Sequence, residues 1–310
     1  MRVAGIDCGT NSIRLLIADV EADGSELRDV LRTMRVVRLG QGVDATGAFA
    51  PEALERTFAA VKEYKKLCDE HQVQAIRFAA TSAARDASNR ELFTSKITSI
   101  LGVEPEIISG EEEAELSFTG AASVRAGKPG QVLVIDLGGG STEFVLGGEN
   151  GPVAAKSLDM GCVRVTERFH IDGLRSRQSL EFLDATLQRL DGAVDVSQVD
   201  AVIMVAGTCT TLTAQALGLK QYDSAAIHGA ELSFAQMRQA TASMLSYTRE
   251  QRQALGFMHP GRVDVIQAGA VIVERILDYL ERASGHREMV LVASEHDILD
   301  GIAASAAQRA

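Results

Sequence analysis

The chain has 310 residues, of which 46% are hydrophobic and 24% charged, and carries a net charge of −11 at neutral pH. That length accommodates two domains of ordinary size, and the composition is that of a soluble globular protein, which excludes a fibre or a disordered chain. The acidic excess excludes a broad nucleic-acid surface, and no apolar run approaches the roughly 18 residues of a membrane span, so neither nucleic acid nor membrane is an expected partner.

Met1-Arg2-Val3 leads straight into an apolar segment without the features of a signal peptide, so the expected location is the cytoplasm. Strands are predicted over 3–7, 13–20 and 27–38, with Asp23-Gly24 as a turn before the third. Leu54, Phe58, Val61, Tyr64 and Leu67 have helical spacing, and Pro51 suits a first turn, so a helix is predicted over 51–70. A strand over 75–80, a polar loop from Thr81 to Asp86, and a helix opened by the capping-box pattern Ser88-Asn89-Arg90-Glu91 come next. A strand over 106–109 and a helix from Gly110 complete the first half, and the Gly, Pro and charge of 125–131 suggest a linker. The second half reads as a hairpin over 132–147, a strand over 153–158, a polar turn at 159–163, a helix around 176–190 and a strand over 201–205. A helical stretch, a long helix over 262–282, a strand over 289–292 and a helix from Ile298 follow. Strands alternating with helices define an α/β protein, divided into domains 1–125 and 126–310. The cysteines Cys8, Cys68, Cys162 and Cys209 form no Cys-x-x-Cys pair, which argues against a zinc site and a disulfide framework.

One frame occurs twice: Ile6-Asp7-Cys8-Gly9-Thr10-Asn11-Ser12 returns as Ile135-Asp136-Leu137-Gly138-Gly139-Gly140-Ser141, a separation of 136 − 7 = 129 residues. Each copy lies between apolar runs, so each reads as strand, tight polar turn, strand. Glycine permits close backbone approach, and the turn's N–H groups with its hydroxyl can hold phosphate oxygens. An Asp beside phosphate needs a divalent cation or a positioned water between them. Glu143, two positions after Ser141, can join a metal's oxygen shell from the same sheet face. Gly207-Thr208-Cys209-Thr210-Thr211 after an apolar strand reads either as a further phosphate loop at a helix N-terminus or as ordinary helix capping. Glu111-Glu112-Glu113 reads as helix-start charge, and Arg85 as a surface cation or a phosphate ligand.

The duplicated hairpins resemble those of the actin, Hsp70 and sugar-kinase superfamily. In chain order, Ile6–Ser12, Thr81–Asp86, Ser109–Ala114, Asp136–Glu143, Gly161–Glu167, Gly207–Thr211 and Gly261–Asp264 resemble the exopolyphosphatase and guanosine pentaphosphate phosphohydrolase family within it. The resemblance implies two ribonuclease H-like (actin-like ATPase) domains facing each other across a cleft. It also implies removal of the terminal phosphate of inorganic polyphosphate, with guanosine pentaphosphate as the alternative substrate and a small-molecule kinase as a more distant reading. Carried over by position, it implies Glu113 as general base, Asp7, Asp136 and Glu143 around Mg²⁺ or Mn²⁺, and Arg85 and Arg262 neutralising the substrate. Thr10, Asn11, Ser12, Gly138, Gly139, Ser141, Gly207 and Thr208 would cradle phosphate, and the assembly would be a homodimer. The family's C-terminal Ser-Asp-x-Gly-Leu-Arg-Glu-Gly appears as Ser294-Glu-His-Asp-Ile-Leu-Asp-Gly301, with Leu299 at the Arg position. From charge and length together, short polyphosphate is expected to be preferred over long, with the stretch Arg164, Arg168, His170, Arg175 and Arg177 as the local candidate for extra contacts.

Overall fold

A computed structural model describes residues 1–21, 27–125, 127–128 and 130–309, with the side chains of 171 and 172 excepted. The Asp23-Gly24 turn therefore lies outside the described residues, as does part of the linker candidate. The chain packs as two units, Met1–Gly120 with Ile298–Ala310, and Ala121–Asp297. The expected division at 125/126 thus falls a few residues earlier. The C-terminal segment, expected to belong to the second domain, packs with the first unit.

In the first unit, β1 (Arg2–Cys8), β2 (Ser12–Val20), β3 (Leu27–Val36), β4 (Ala75–Ala80) and β5 (Glu106–Ile107) form one sheet in the order β3-β2-β1-β4-β5. The first three strands are antiparallel neighbours, whereas β4 and β5 join in parallel. The parallel additions require crossovers, and helices supply them: α1 (Val43–Thr46) and α2 (Pro51–Glu70) precede β4, and α3 (Ser82–Asp86) and α4 (Arg90–Leu101) follow it. Helix α5 (Gly110–Ala121) leaves the sheet after β5. Fully buried Val61 and Tyr64 place the predicted apolar stripe of α2 in the core with Ile6, Ile13 and Phe78. The segment from Thr81, expected as a loop, is helical over α3 because Ser82, Ala83 and Ala84 are buried against the end of β4.

The C-terminal helix Ile298–Ala306 covers the opposite sheet face, where Leu299 and Ala303 pack with Leu16 and Ala18. Two glycines permit this close approach. A side chain on Gly5 would lie 2.7 Å from the Ala303 nitrogen, and one on Gly301 would lie 2.2 Å from the Leu116 carbonyl oxygen. Leu299 is thus a core residue, and the neighbouring Asp300 receives Arg32 at 2.5 Å.

The second unit repeats the arrangement and extends it. Strands β6 (Gln131–Leu137), β7 (Thr142–Gly148), β8 (Gly151–Leu158), β9 (Val199–Val205), β10 (Glu231–Leu232) and β11 (Val290–Ala293) lie in the order β10-β11-β9-β6-β7-β8. Read from β8 to β11, this is the first unit's order and sense of pairing, with β10 added beyond β11. Its helices are α6 (Cys162–Gly173), α7 (Arg177–Leu187), α8 (Ala206–Ala216), α9 (Ser224–Ile227), α10 (Phe234–Ser246), α11 (Arg249–Gln253) and α12 (Ile266–Ala283). Sequence periodicity leaves α6 unassigned, since it opens with β-branched residues in Val163-Arg-Val-Thr166. It also leaves α10 unassigned, although Ser233 and Gln236 form a capping box there.

Candidate active site

The repeated frame forms the same turn twice. The Gly9 N–H donates to the Ser12 carbonyl at 3.0 Å, and the Gly138 N–H donates to the Ser141 carbonyl, also at 3.0 Å. Asp7 and Asp136 end their strands at equivalent places, each nearly buried. Their cross-strand neighbours differ. Asp7 stands opposite Arg14, which grips its Oδ2 from Nε at 2.8 Å and from Nη2 at 2.7 Å. Asp136 stands opposite Glu143, itself 1% exposed, so the second hairpin sets two carboxylates side by side on one sheet face. Glu143 accepts from the Ser157 hydroxyl at 2.7 Å.

The triple-glycine turn is held from one side. Carbonyls of Gly138, Gly139 and Gly140 accept from the N–H groups of Cys162 (3.0 Å), Val163 (2.8 Å) and Gly161 (3.1 Å), around the start of α6. Arg164 Nε adds a bond to the Gly140 carbonyl at 2.8 Å. In a planar trans peptide the N–H points opposite to the C=O, so the N–H groups of Gly139, Gly140 and Ser141 are directed away from α6. N–H groups so directed could serve as an anion-binding nest. Gly161 permits the contact, since a Cβ there would lie 2.2 Å from the Gly139 carbonyl carbon. Sequence reasoning assigned roles to Gly138, Gly139 and Ser141 and missed Gly161 and Arg164 as their support. The Gly161-Cys-Val-Arg164 segment following the second hairpin was the available signal.

At the end of β9 the chain turns into α8 through Ala206, which has a left-handed φ of 66°. A Cβ on Gly207 would lie 2.2 Å from Arg262 Cζ, so a side chain there would displace the guanidinium. The Arg262 guanidinium thus lies on the first turn of α8 and donates to Thr211 Oγ1 at 3.2 Å. Thr208 is buried against Gly269. A helix N-terminus with a guanidinium beside it favours an anion.

In the first unit, Glu113 lies in the first turn of α5 and is 8% exposed. Arg85 Nη1 donates to Glu113 Oε2 at 2.7 Å and to the Ile108 carbonyl at 3.0 Å. Burial pushes the Glu113 carboxyl above the ordinary glutamate range, while Arg85 pulls it down, the Asp7 charge pushes it up, and Thr81 draws it down by hydrogen bonding. The three acidic neighbours separate completely: Glu111 is exposed, Glu112 pairs with Arg77, and only Glu113 is buried. Asp7, Arg85 and Glu113 thus come together in the first unit, with Thr10, Asn11 and Ser12 in the turn after Asp7. Asp136, Glu143, Gly138, Gly139, Ser141, Gly207, Thr208 and Arg262 all belong to the second.

Among the described residues no group of three or more His, Cys, Asp or Glu side chains is placed to hold a metal. The Asp136 and Glu143 pair nevertheless has the chemistry of a hard-cation site, two buried carboxylates with a nest beside them, to which substrate oxygens would add the remaining ligands. Asp7 fits direct coordination less well, since Arg14 already neutralises it. All four cysteines are free and buried.

Two α/β units of one topology, each carrying an Asp-x-Gly turn at the end of its first strand, define an actin-like architecture built to handle phosphate. The Ppx/GppA phosphatase family model matches residues 16–306, and the chain belongs to that family. It is 47% identical to exopolyphosphatase 2 of Mycobacterium tuberculosis over 99% of this chain and 98% of that one. It is 33% identical, over 96% of its length, to 45% of a bifunctional 3-dehydroquinate synthase/phosphatase of Fusobacterium nucleatum. A crystal structure of an exopolyphosphatase-like protein, 44% identical, superposes with a TM-score of 0.92 over 99% of this chain and 98% of that one. The Aquifex aeolicus family member, 32% identical, gives 0.79 over 100% and 98%. The protein is an enzyme of this phosphatase family, an exopolyphosphatase-like hydrolase acting on phosphate chains.

Proposed function

We propose that the enzyme removes the terminal phosphate from short inorganic polyphosphate with the help of Mg²⁺ or Mn²⁺. The observation that carries the reading is Glu113, buried in the first turn of α5 with Arg85 on one oxygen and under the influence of Asp7. A carboxylate with a raised pKa is the stronger base, and Glu113 takes the proton of the attacking water. Arg85 fixes Glu113 before the substrate binds and balances charge on the terminal phosphate as it leaves. Asp7, held by Arg14, accepts a hydrogen bond from the same water. The N–H groups of Gly139, Gly140 and Ser141, with Arg262 and the start of α8, hold the phosphates behind the scissile bond. A divalent cation on Asp136 and Glu143 would supply neutralisation of the phosphate oxygens.

Short chains fit the charge of the molecule. The basic stretch of α6 and α7 is committed elsewhere: Arg164 holds the glycine turn, Arg168 lies 4.8 Å from the centre of the Phe182 ring, Arg175 pairs with Glu274 at 3.1 Å, and Arg177 pairs with Glu181 at 2.6 Å. With a net charge of −11, a long polyanion is repelled wherever such local cations do not shield it. The test is phosphate release from polyphosphates of defined length, guanosine pentaphosphate and ATP, each with Mg²⁺ and with Mn²⁺. Short polyphosphate should have the highest kcat/KM per chain end. Strong preference for chains of several hundred units, or release from guanosine pentaphosphate alone, would overturn the reading.

A further inference from the structure

Arg262 stands in a single 3₁₀ turn, Pro260–Arg262, and a turn that short has no ladder of its own to hold it. Its first position is proline, which has no N–H, so the Gly261 N–H is the first donor that needs a partner. His259 supplies one: its Nδ1 accepts from the Gly261 N–H at 3.1 Å, a cap that Ser, Asp or Asn more commonly makes. The His259 carbonyl accepts from the Arg262 N–H at 2.9 Å, and the Arg262 carbonyl accepts from the Val265 N–H at 3.0 Å. The orientation of the guanidinium, laid against Gly207 and bonded to Thr211, thus depends on a turn capped at its start by an imidazole.

A ring nitrogen that accepts carries no proton, so the cap exists only while that nitrogen of His259 is unprotonated. Burial and the charge of Arg262 both oppose protonation of the ring. The charged groups on the adjoining segments are engaged with one another or with backbone. Arg249 pairs with Asp264 at 2.8 Å, and Arg252 donates to the Val263 and Tyr247 carbonyls at 3.1 and 2.8 Å. The start of α8, residues 206–211, brings no charged side chain to the Arg262 guanidinium. When acid does protonate Nδ1, the ring presents an N–H to the Gly261 N–H and sets a second cation beside Arg262. The cap is therefore present above the pKa of the ring and lost as pH falls through it.

We propose that neutral His259 is a positioning residue for Arg262, and that protonation of its Nδ1 loosens the turn and weakens binding of the phosphate chain. This rests on the reading of Arg262 as a phosphate ligand. The test compares His259→Asn and His259→Ala with the wild type by KM and kcat for tripolyphosphate at about pH 7 and about pH 5, with thermal melting at both. The Asn amide oxygen takes the place of Nδ1 as an acceptor that does not titrate, so His259→Asn should match the wild type at the higher pH. At the lower pH the wild-type KM should exceed that of His259→Asn about fivefold, the loss of one hydrogen bond, while kcat stays equal in the two. His259→Ala should show the raised KM at both. Comparison at equal pH cancels the titration of the substrate itself, and a purely structural role would lower the melting temperature without separating the two KM profiles. NMR titration of the His259 ring in the wild type should have its midpoint where KM rises, a measurement that needs no variant to fold. A wild type that binds and cleaves polyphosphate, with a KM ratio to His259→Asn that does not change with pH, overturns the His259 assignment alone, as does a ring that titrates outside the KM transition. A wild type that neither binds nor cleaves polyphosphate overturns the functional reading, and His259 with it.

Discussion

Gly161→Ala isolates the nest from the rest of the machinery, because Gly161 carries no chemistry of its own. The added Cβ would lie 2.2, 2.3 and 2.4 Å from Gly139 C, Gly139 O and Gly140 N, all backbone atoms. Ordinary contact begins at 3.4 Å, so the two segments must part by 3.4 − 2.2 = 1.2 Å at the closest point. Overpacking of this kind costs about 1–3 kcal/mol. At roughly 2–4 °C per kcal/mol for a unit of this size, the melting temperature should fall by several degrees. The functional effect should be larger, since the displaced atoms carry the N–H groups proposed to hold phosphate, and a misplacement of about 1 Å can cost on the order of 10²-fold in rate. Thermal melting and kcat/KM for tripolyphosphate, measured well below the transition, read the two effects apart. Gly192→Ala is the companion: its φ of 74° makes Ala unfavourable, but nothing lies within 4 Å, so stability alone should drop. If Gly161→Ala melts lower yet turns over at the wild-type rate, the glycine turn does not hold the reacting phosphates.

Glu113→Gln should lower kcat by about 10²-fold or more while leaving tripolyphosphate affinity largely intact, and exposed Glu111→Gln should change neither; equal, mild effects at both would remove the general base from the mechanism. The acid limb of the kcat profile should lie at a pH above ordinary glutamate titration, because Glu113 works ionised and burial raises its pKa, so activity is present above that value and lost as pH falls through it. Asp7→Asn should move this limb to lower pH, since it removes a like charge; an unmoved limb would show that another group titrates. Phosphate release should stop in excess chelator and return with Mg²⁺ or Mn²⁺, whereas undiminished turnover would leave Asp136 and Glu143 without a cation to hold.

Local pattern was legible in the sequence. The two Ile-Asp-x-Gly frames, the strands around them and the stripes of α2 and α12 follow from alternation, helical spacing and turn chemistry, each acting within a few residues. Helix α6 was illegible because its β-branched opening mimics a strand, and α3 because a short buried helix has no period to detect. Tertiary structure decided everything that depends on which residues meet. The two Asp frames look equivalent in sequence, yet pairing across the hairpin gives Asp7 an arginine and Asp136 a second carboxylate. Glu111, Glu112 and Glu113 look alike, and only burial beside Arg85 distinguishes the last. The return of the C-terminal helix to the first unit, with Arg32 meeting Asp300 across 268 residues of chain, leaves no mark in any window of sequence. Such contacts are selected by shape and charge between surfaces that exist only after the elements have formed, which is why periodicity reveals the elements and not their partners.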